Sequence, residues 1–133
     1  MNEVLHPSAW ARPIGYSNGV AAAPGRIVFV AGQIGWNAAQ RFETADLAHQ
    51  FERALENIVA VLAEAGARPE HVCRMTGYCT DKAEYLAARP EIGRAWRRVM
   101  GQQFPAMTMV FVTALLDEGA KIELEATAVV PAA

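Results

Sequence analysis

A chain of 133 residues, 53% hydrophobic and 20% charged, has the length of one domain, spanning 1–133, and enough apolar material for one core. Its net charge of −2 supplies no global field for nucleic acid or an anionic membrane surface. No apolar run approaches the roughly 20 residues that cross a bilayer, and "MNEVLHPSAW" lacks the basic start and apolar block of a secretory leader, so a cytoplasmic protein is expected.

The segment 15–25, "GYSNGVAAAPG", holds two turn signals, Ser17-Asn18-Gly19 and Pro24-Gly25. A short strand between them is expected to pair as a hairpin with 26–31. "GRIVFVAGQIG" (25–35) is a β-branched and aromatic run between glycines, the pattern of a strand. From 44 to 65 the period changes: Leu47, Phe51, Leu55, Ile58, Val59 and Leu62 fall on one helical stripe. Thr44 is the expected N-cap and Gly66 the C-terminal stop.

"HVCRMTGYCTD" (71–81) is a strand with Cys73, Met75, Gly77 and Cys79 on one parity. A second helix, with Pro90 near its start, places Ile92, Ala95, Trp96, Val99 and Met100 at apolar spacing. Arg94, Arg97 and Arg98 take the rest of its surface, as solvated charges or as an anion patch. Strands follow at 107–113 and 121–130; in the latter Lys121, Glu123, Glu125 and Thr127 alternate with Ile122, Leu124, Ala126 and Ala128. Cys73 and Cys79 lie roughly 20 Å apart along one strand, too far for a disulfide. His6, His49 and His71 are scattered, and no Cys/His/Asp/Glu spacing resembles a metal site.

The order β-β-α-β-α-β-β, with room for a further N-terminal strand, predicts an α+β fold with both helices on one face of the sheet. The other face is expected to carry Met107, Met109 and Phe111 beside Glu123 and Glu125. Such a face is too apolar to stay wet, so a homo-oligomer is expected.

"GYSNGV…RIVFVAGQIG", "ALENIVAVLAEAGA", "FPAMTMVFV" and "KIELEATAVV" together resemble the RidA/YjgF/UK114 family of enamine/imine deaminases, in order and spacing, from about residue 13 to 130. The resemblance implies a chorismate-mutase-like fold and a homotrimer with three clefts between subunits. It implies hydrolysis of reactive enamines and imines to ketones and ammonia, with no metal or organic cofactor. The family's cleft tyrosine matches Tyr16, its cleft glutamate Glu123 and its cleft glycine Gly32. The serine before that glycine is Ala31 here, and the asparagine of the second helix has no match, Gly93 lying nearest. The arginine that follows "FPA" and grips a substrate carboxylate is Met107. The interface cysteine two residues on is Met109.

Arginine offers a fixed charge and a two-pronged donor, whereas methionine offers an adaptable apolar surface. Losing such a partner weakens carboxylate binding on the order of a hundredfold. Imine hydrolysis itself needs an aimed water and a proton shuttle. Glu123 is the candidate shuttle, its pKa raised by burial among Met107, Met109 and Phe111; Tyr16 is the candidate orienting group. Three readings follow. The first is a hydrolase acting on an imine without a small free α-carboxylate, with Met107, Met109, Ala31, Gly32 and Phe111 around the substrate. The second is a trimeric small-metabolite binding protein without turnover. The third, a ribonuclease or translation inhibitor, lacks a suitable histidine pair and a basic stripe interleaved with aromatics.

Overall fold

The computed structural model describes residues 2–132. Six strands and two helices follow in the order β1 (Glu3–Leu5), β2 (Gly19–Ala21), β3 (Gly25–Ile34), α1 (Leu47–Glu64), β4 (Val72–Cys79), α2 (Lys82–Met100), β5 (Ala106–Phe111) and β6 (Ile122–Pro131). The main sheet has the order β3-β6-β4-β5. β6 pairs antiparallel with β3 and with β4, while β4 and β5 are parallel, joined through α2. The architecture is α+β, as the sequence predicts.

The short strand Gly19–Ala21 does not form a hairpin with β3. It pairs instead with β1, Val4 opposite Val20. β3 pairs with β6 alone and stands at the edge of the main sheet.

α1 begins two residues later than expected. Asp46, not Thr44, accepts from the His49 amide at 3.0 Å, and Thr44 Oγ1 in turn accepts from the Asp46 amide. Gly66 ends the helix as predicted: at φ 71° it lets the Gly66 and Ala67 amides reach back to the Ala63 and Leu62 carbonyls. α2 starts at Lys82 under an Asp81 cap, so Pro90 lies in its middle rather than near its start. Pro90 has no N–H, which leaves the Leu86 carbonyl without its helical donor.

The two helices cover one face and build a single core with it. Phe51, Leu55, Ile58 and Leu62 of α1 and Ile92, Ala95 and Trp96 of α2 are buried against Met75, Cys79, Ile122 and Leu124. Gln50 is fully buried and fully satisfied. Its Nε2 donates to the Thr44 and Gly119 carbonyls, and its Oε1 accepts from the Lys121 amide at 2.8 Å. The side chain therefore fastens the start of α1 to the approach to β6.

Two bulges break the simple alternation. Between Val72 and Arg74 the register of β4 against β6 shifts, so Val72 rather than Cys73 enters the core, and the Cys73 thiol donates to the Thr127 carbonyl. Between Val30 and Gln33, both Ala31 and Gly32 stand against the single residue Glu125 of β6. Both cysteines are free.

Candidate functional site

Residues paired across a sheet share a face, and this decides how the candidate residues are distributed. Met107 pairs with Met75, Met109 with Gly77, and Phe111 with Cys79. Gly77 also pairs with Leu124, so all three β5 residues face the helices. Tyr78 pairs with Glu123 and Thr76 with Glu125, so both glutamates face away from them. The expectation that the methionines and Glu123 share the open face is therefore corrected. The open face carries Arg74, Thr76, Tyr78, Thr108, Glu123 and Glu125, with Ile27, Phe29 and Val110 as its exposed apolar members.

The first group of candidates surrounds a cavity of about 530 Å³ between β5, α2 and the segment before β2. Tyr16, Met107 and Met109 line it, with Trp96 and Phe104. Tyr16 is held there by its neighbour. The buried Ser17 donates its amide to the Pro105 carbonyl at 3.0 Å and its hydroxyl to the Phe104 carbonyl. "GYSN" is thus fastened to "FPAM". Trp96 and Phe104 stack with ring planes 9° apart, and the indole N–H donates to the Gln103 carbonyl. Met109 lies across Gly77, where a Cβ would stand 2.4 Å from the methionine methyl. Phe111 does not line this cavity; it meets Tyr85 edge-on, centroids 5.7 Å apart.

The second group lies at the β3/β6 seam. A Cβ on Gly32 would stand 1.9 Å from Glu123 Oε2 and 2.8 Å from its carboxyl carbon. The carboxyl is laid against the backbone of the bulge at Gly32, at a place only glycine leaves open. Burial pushes the Glu123 pKa above its ordinary 4.5, and the charges of Asp117 and Glu125 push it further. The direction and its leading cause, burial, match the sequence expectation, but the surroundings do not: Met107, Met109 and Phe111 face the other way and do not enclose this carboxyl. Tyr78 donates to Glu125 Oε1 at 2.7 Å, which occupies the second glutamate.

Within one chain the two groups stay apart. Glu123 is two strands from β5, about 10 Å, and on the other face. Gly32 lies on the far edge strand. Tyr16, Met107 and Met109 are brought together; Gly32 and Glu123 are brought together, while Ala31, next in the chain, lines a groove with Glu125; Phe111 joins neither.

The arginine cluster of α2 divides. Arg98 forks onto Glu52 of α1 at 2.7 and 3.0 Å, holding that carboxyl below its usual range. Arg94 pairs with Glu91. Arg97 turns to the cavity, as does Arg89, which the sequence reading passed over. Its signal was the spacing 89, 93, 97 along one flank of the helix. Among the described residues no group of three or more His, Cys, Asp or Glu side chains is placed to hold a metal. No helix among them is long and apolar enough to cross a membrane.

Comparison with known proteins agrees with this fold. The endoribonuclease L-PSP family model matches residues 8–130. Protein DfrA of Myxococcus xanthus is 33% identical over 129 residues, covering 96% of this chain and 95% of that protein. A solved Rid-family protein of unknown function from Yersinia pestis superposes with a TM-score of 0.87 at 31% identity, covering 97% and 98% of the two chains. TdcF of E. coli, solved with bound serine, superposes with a TM-score of 0.67 at 26% identity, over 96% and 98%. With that match along nearly its whole length, and with the chorismate-mutase-like sheet and paired helices of those neighbours, the chain belongs to the RidA/YjgF/UK114 family.

Proposed function

We propose that the protein hydrolyses reactive imines, or the imine tautomers of enamines, to the carbonyl compound and ammonia. Its substrate bears no small free α-carboxylate. The observation that carries this reading is the Glu123 carboxyl, laid against the Gly32 backbone with its pKa raised. A carboxyl whose pKa is raised above the ordinary carboxylate value is suited both to accept and to return a proton. Glu123 takes a proton from water as its oxygen adds to the imine carbon. The same proton then passes to nitrogen and gives the carbinolamine; Glu123 next takes the hydroxyl proton and hands it to the amino nitrogen, so that the C–N bond breaks and ammonia leaves as the C=O bond forms.

The division of the candidate residues supports a homotrimer. One copy offers the Tyr16/Met107/Met109 cavity, and a second copy brings its Glu123 and Gly32 to the mouth of that cavity. The open sheet faces, with Ile27 and Phe29 exposed, turn inward. Each cleft is then built from two chains. Met107 presents a thioether where a guanidinium would grip an α-carboxylate, so an imine of a small free amino acid is a poor substrate. The proton chemistry needs no cofactor, and a cytoplasmic location remains part of the proposal.

Ammonia release from neutral cyclic or esterified imines tests the reading. Purified protein should accelerate it, and Glu123→Gln should lower the rate by at least about a hundredfold. No acceleration on any member of such a panel, or full activity in Glu123→Gln, overturns it. A second reading, binding without turnover, is favoured by the apolar Met107/Met109 wall; saturable binding with no product would select it. A ribonuclease is disfavoured, since Arg94 and Arg98 are each engaged by a glutamate.

A further inference from the structure

We infer that Arg89 and Arg97 of α2 form an anion-binding pair for a carboxylate carried at a distance from the reacting group of an otherwise apolar ligand. The inference rests on the cavity of the proposed function and names the class of ligand it takes.

The two residues stand eight apart on α2, about 12 Å along its axis, with Gly93 midway. Both line the cavity that Tyr16, Met107, Met109 and Trp96 also line, and no acidic side chain lines it. Their neighbours on the helix are neutralised: Glu91 takes Arg94, and Glu52 takes Arg98. Among the described residues neither Arg89 nor Arg97 takes part in an ion pair or a side-chain hydrogen bond, so their donors are unused by the protein. Gly93 completes the arrangement. A Cβ there would meet only Arg97 Nη1, at 3.7 Å. The guanidinium therefore lies back over a bare stretch of helix, and the space beside it is open to a ligand atom.

The cavity thus has two chemistries. Its floor is thioether and indole; its rim on α2 is cationic. A ligand that fits both has an apolar or aromatic body and an anionic end. The charge is met from the helix and not from position 107. A carboxylate bonded directly to the imine carbon would face Met107, whereas one several bonds away reaches the guanidinium donors. The rim is exposed, so the attraction should weaken with salt.

A matched pair of probes, 4-phenylbutyrate and its uncharged amide, tests this by calorimetry on the full chain. The acid should bind at least about tenfold more tightly than the amide at low salt, and the preference should shrink at high salt. Arg89→Gln with Arg97→Gln should abolish the preference while leaving the amide unchanged. Arg94→Gln, already paired with Glu91, should keep it. Equal binding of acid and amide, no binding of either, or a preference that survives the double variant overturns the inference. The outcome is separable from catalysis: a preference without imine turnover removes the proposed reaction and leaves this site, and turnover without a preference does the reverse.

Discussion

Glu123 is the residue whose protonation links the candidate site to stability. Its pKa is raised, so the folded state holds this proton more tightly than the unfolded chain. Its contribution is fully present below the ordinary value of 4.5 and is lost as pH rises through the raised folded value. Glu123→Gln removes that loss. The variant should therefore gain melting temperature on the parent between pH 4.5 and neutrality, while its activity falls. Melting curves at several pH values check the sign; a uniform offset at all pH would separate the effect from ionisation. Glu52 runs the other way. Arg98 lowers its pKa, so its contribution is present above the ordinary value and is lost as pH falls through the lowered one. Position 107 was legible in sequence because "FPA" marks it, and Glu123 because its strand alternates so regularly. That these two residues face opposite ways was not. The parity of β5 against β6 is set through β4, by a parallel pairing whose register depends on how α2 returns the chain.

At the scale of elements, the methionines of β5 depend on a glycine in the next strand. Gly77→Ala would place a methyl 2.4 Å from Met109 Cε, 2.8 Å from its sulfur and 3.1 Å from Leu124 Cδ2. It should cost about 1–3 kcal/mol of unfolding free energy. Met109→Ala in the same chain should recover part of that cost, because it vacates the space. Denaturant titration of the two single variants and the double variant measures the coupling. The helices were legible from periodicity, since Leu47, Phe51, Leu55, Ile58 and Leu62 allow no other face. The bulges were not. An extra residue at Ala31-Gly32 or near Cys73 leaves the composition of a strand unchanged and only shifts which parity is buried. The partner of β2 was equally hidden: turn signals show where the chain reverses, not which strand receives it.

At the scale of the molecule, the open face mixes charge with Ile27 and Phe29, the latter 77% exposed. If three copies enclose this face, sedimentation should give a mass near three times 14.4 kDa. Phe29→Asp should lower that mass and, on the proposal that each cleft is built from two chains, should remove imine turnover with it. A monomeric wild-type protein with full activity would contradict the divided site. Fold class was readable from element order alone, because two amphipathic helices among strands leave few ways to bury their stripes. The division of the site between the two faces became visible only once the strands were paired.

The strand order β3-β6-β4-β5 has a consequence for how the molecule is made. β6 is the latest of these four strands in the chain, yet it lies between β3 and β4 and supplies the partner each requires. Before residues 122–131 leave the ribosome, β3 has no neighbour in the main sheet, and α1 has no finished surface to lie on. Within the main sheet, β4 and β5, joined through α2, are the only strands that can pair beforehand. Folding must therefore be completed late and nearly all at once, and until then the nascent chain exposes β3 as an unpaired, largely apolar strand for a chaperone to shield.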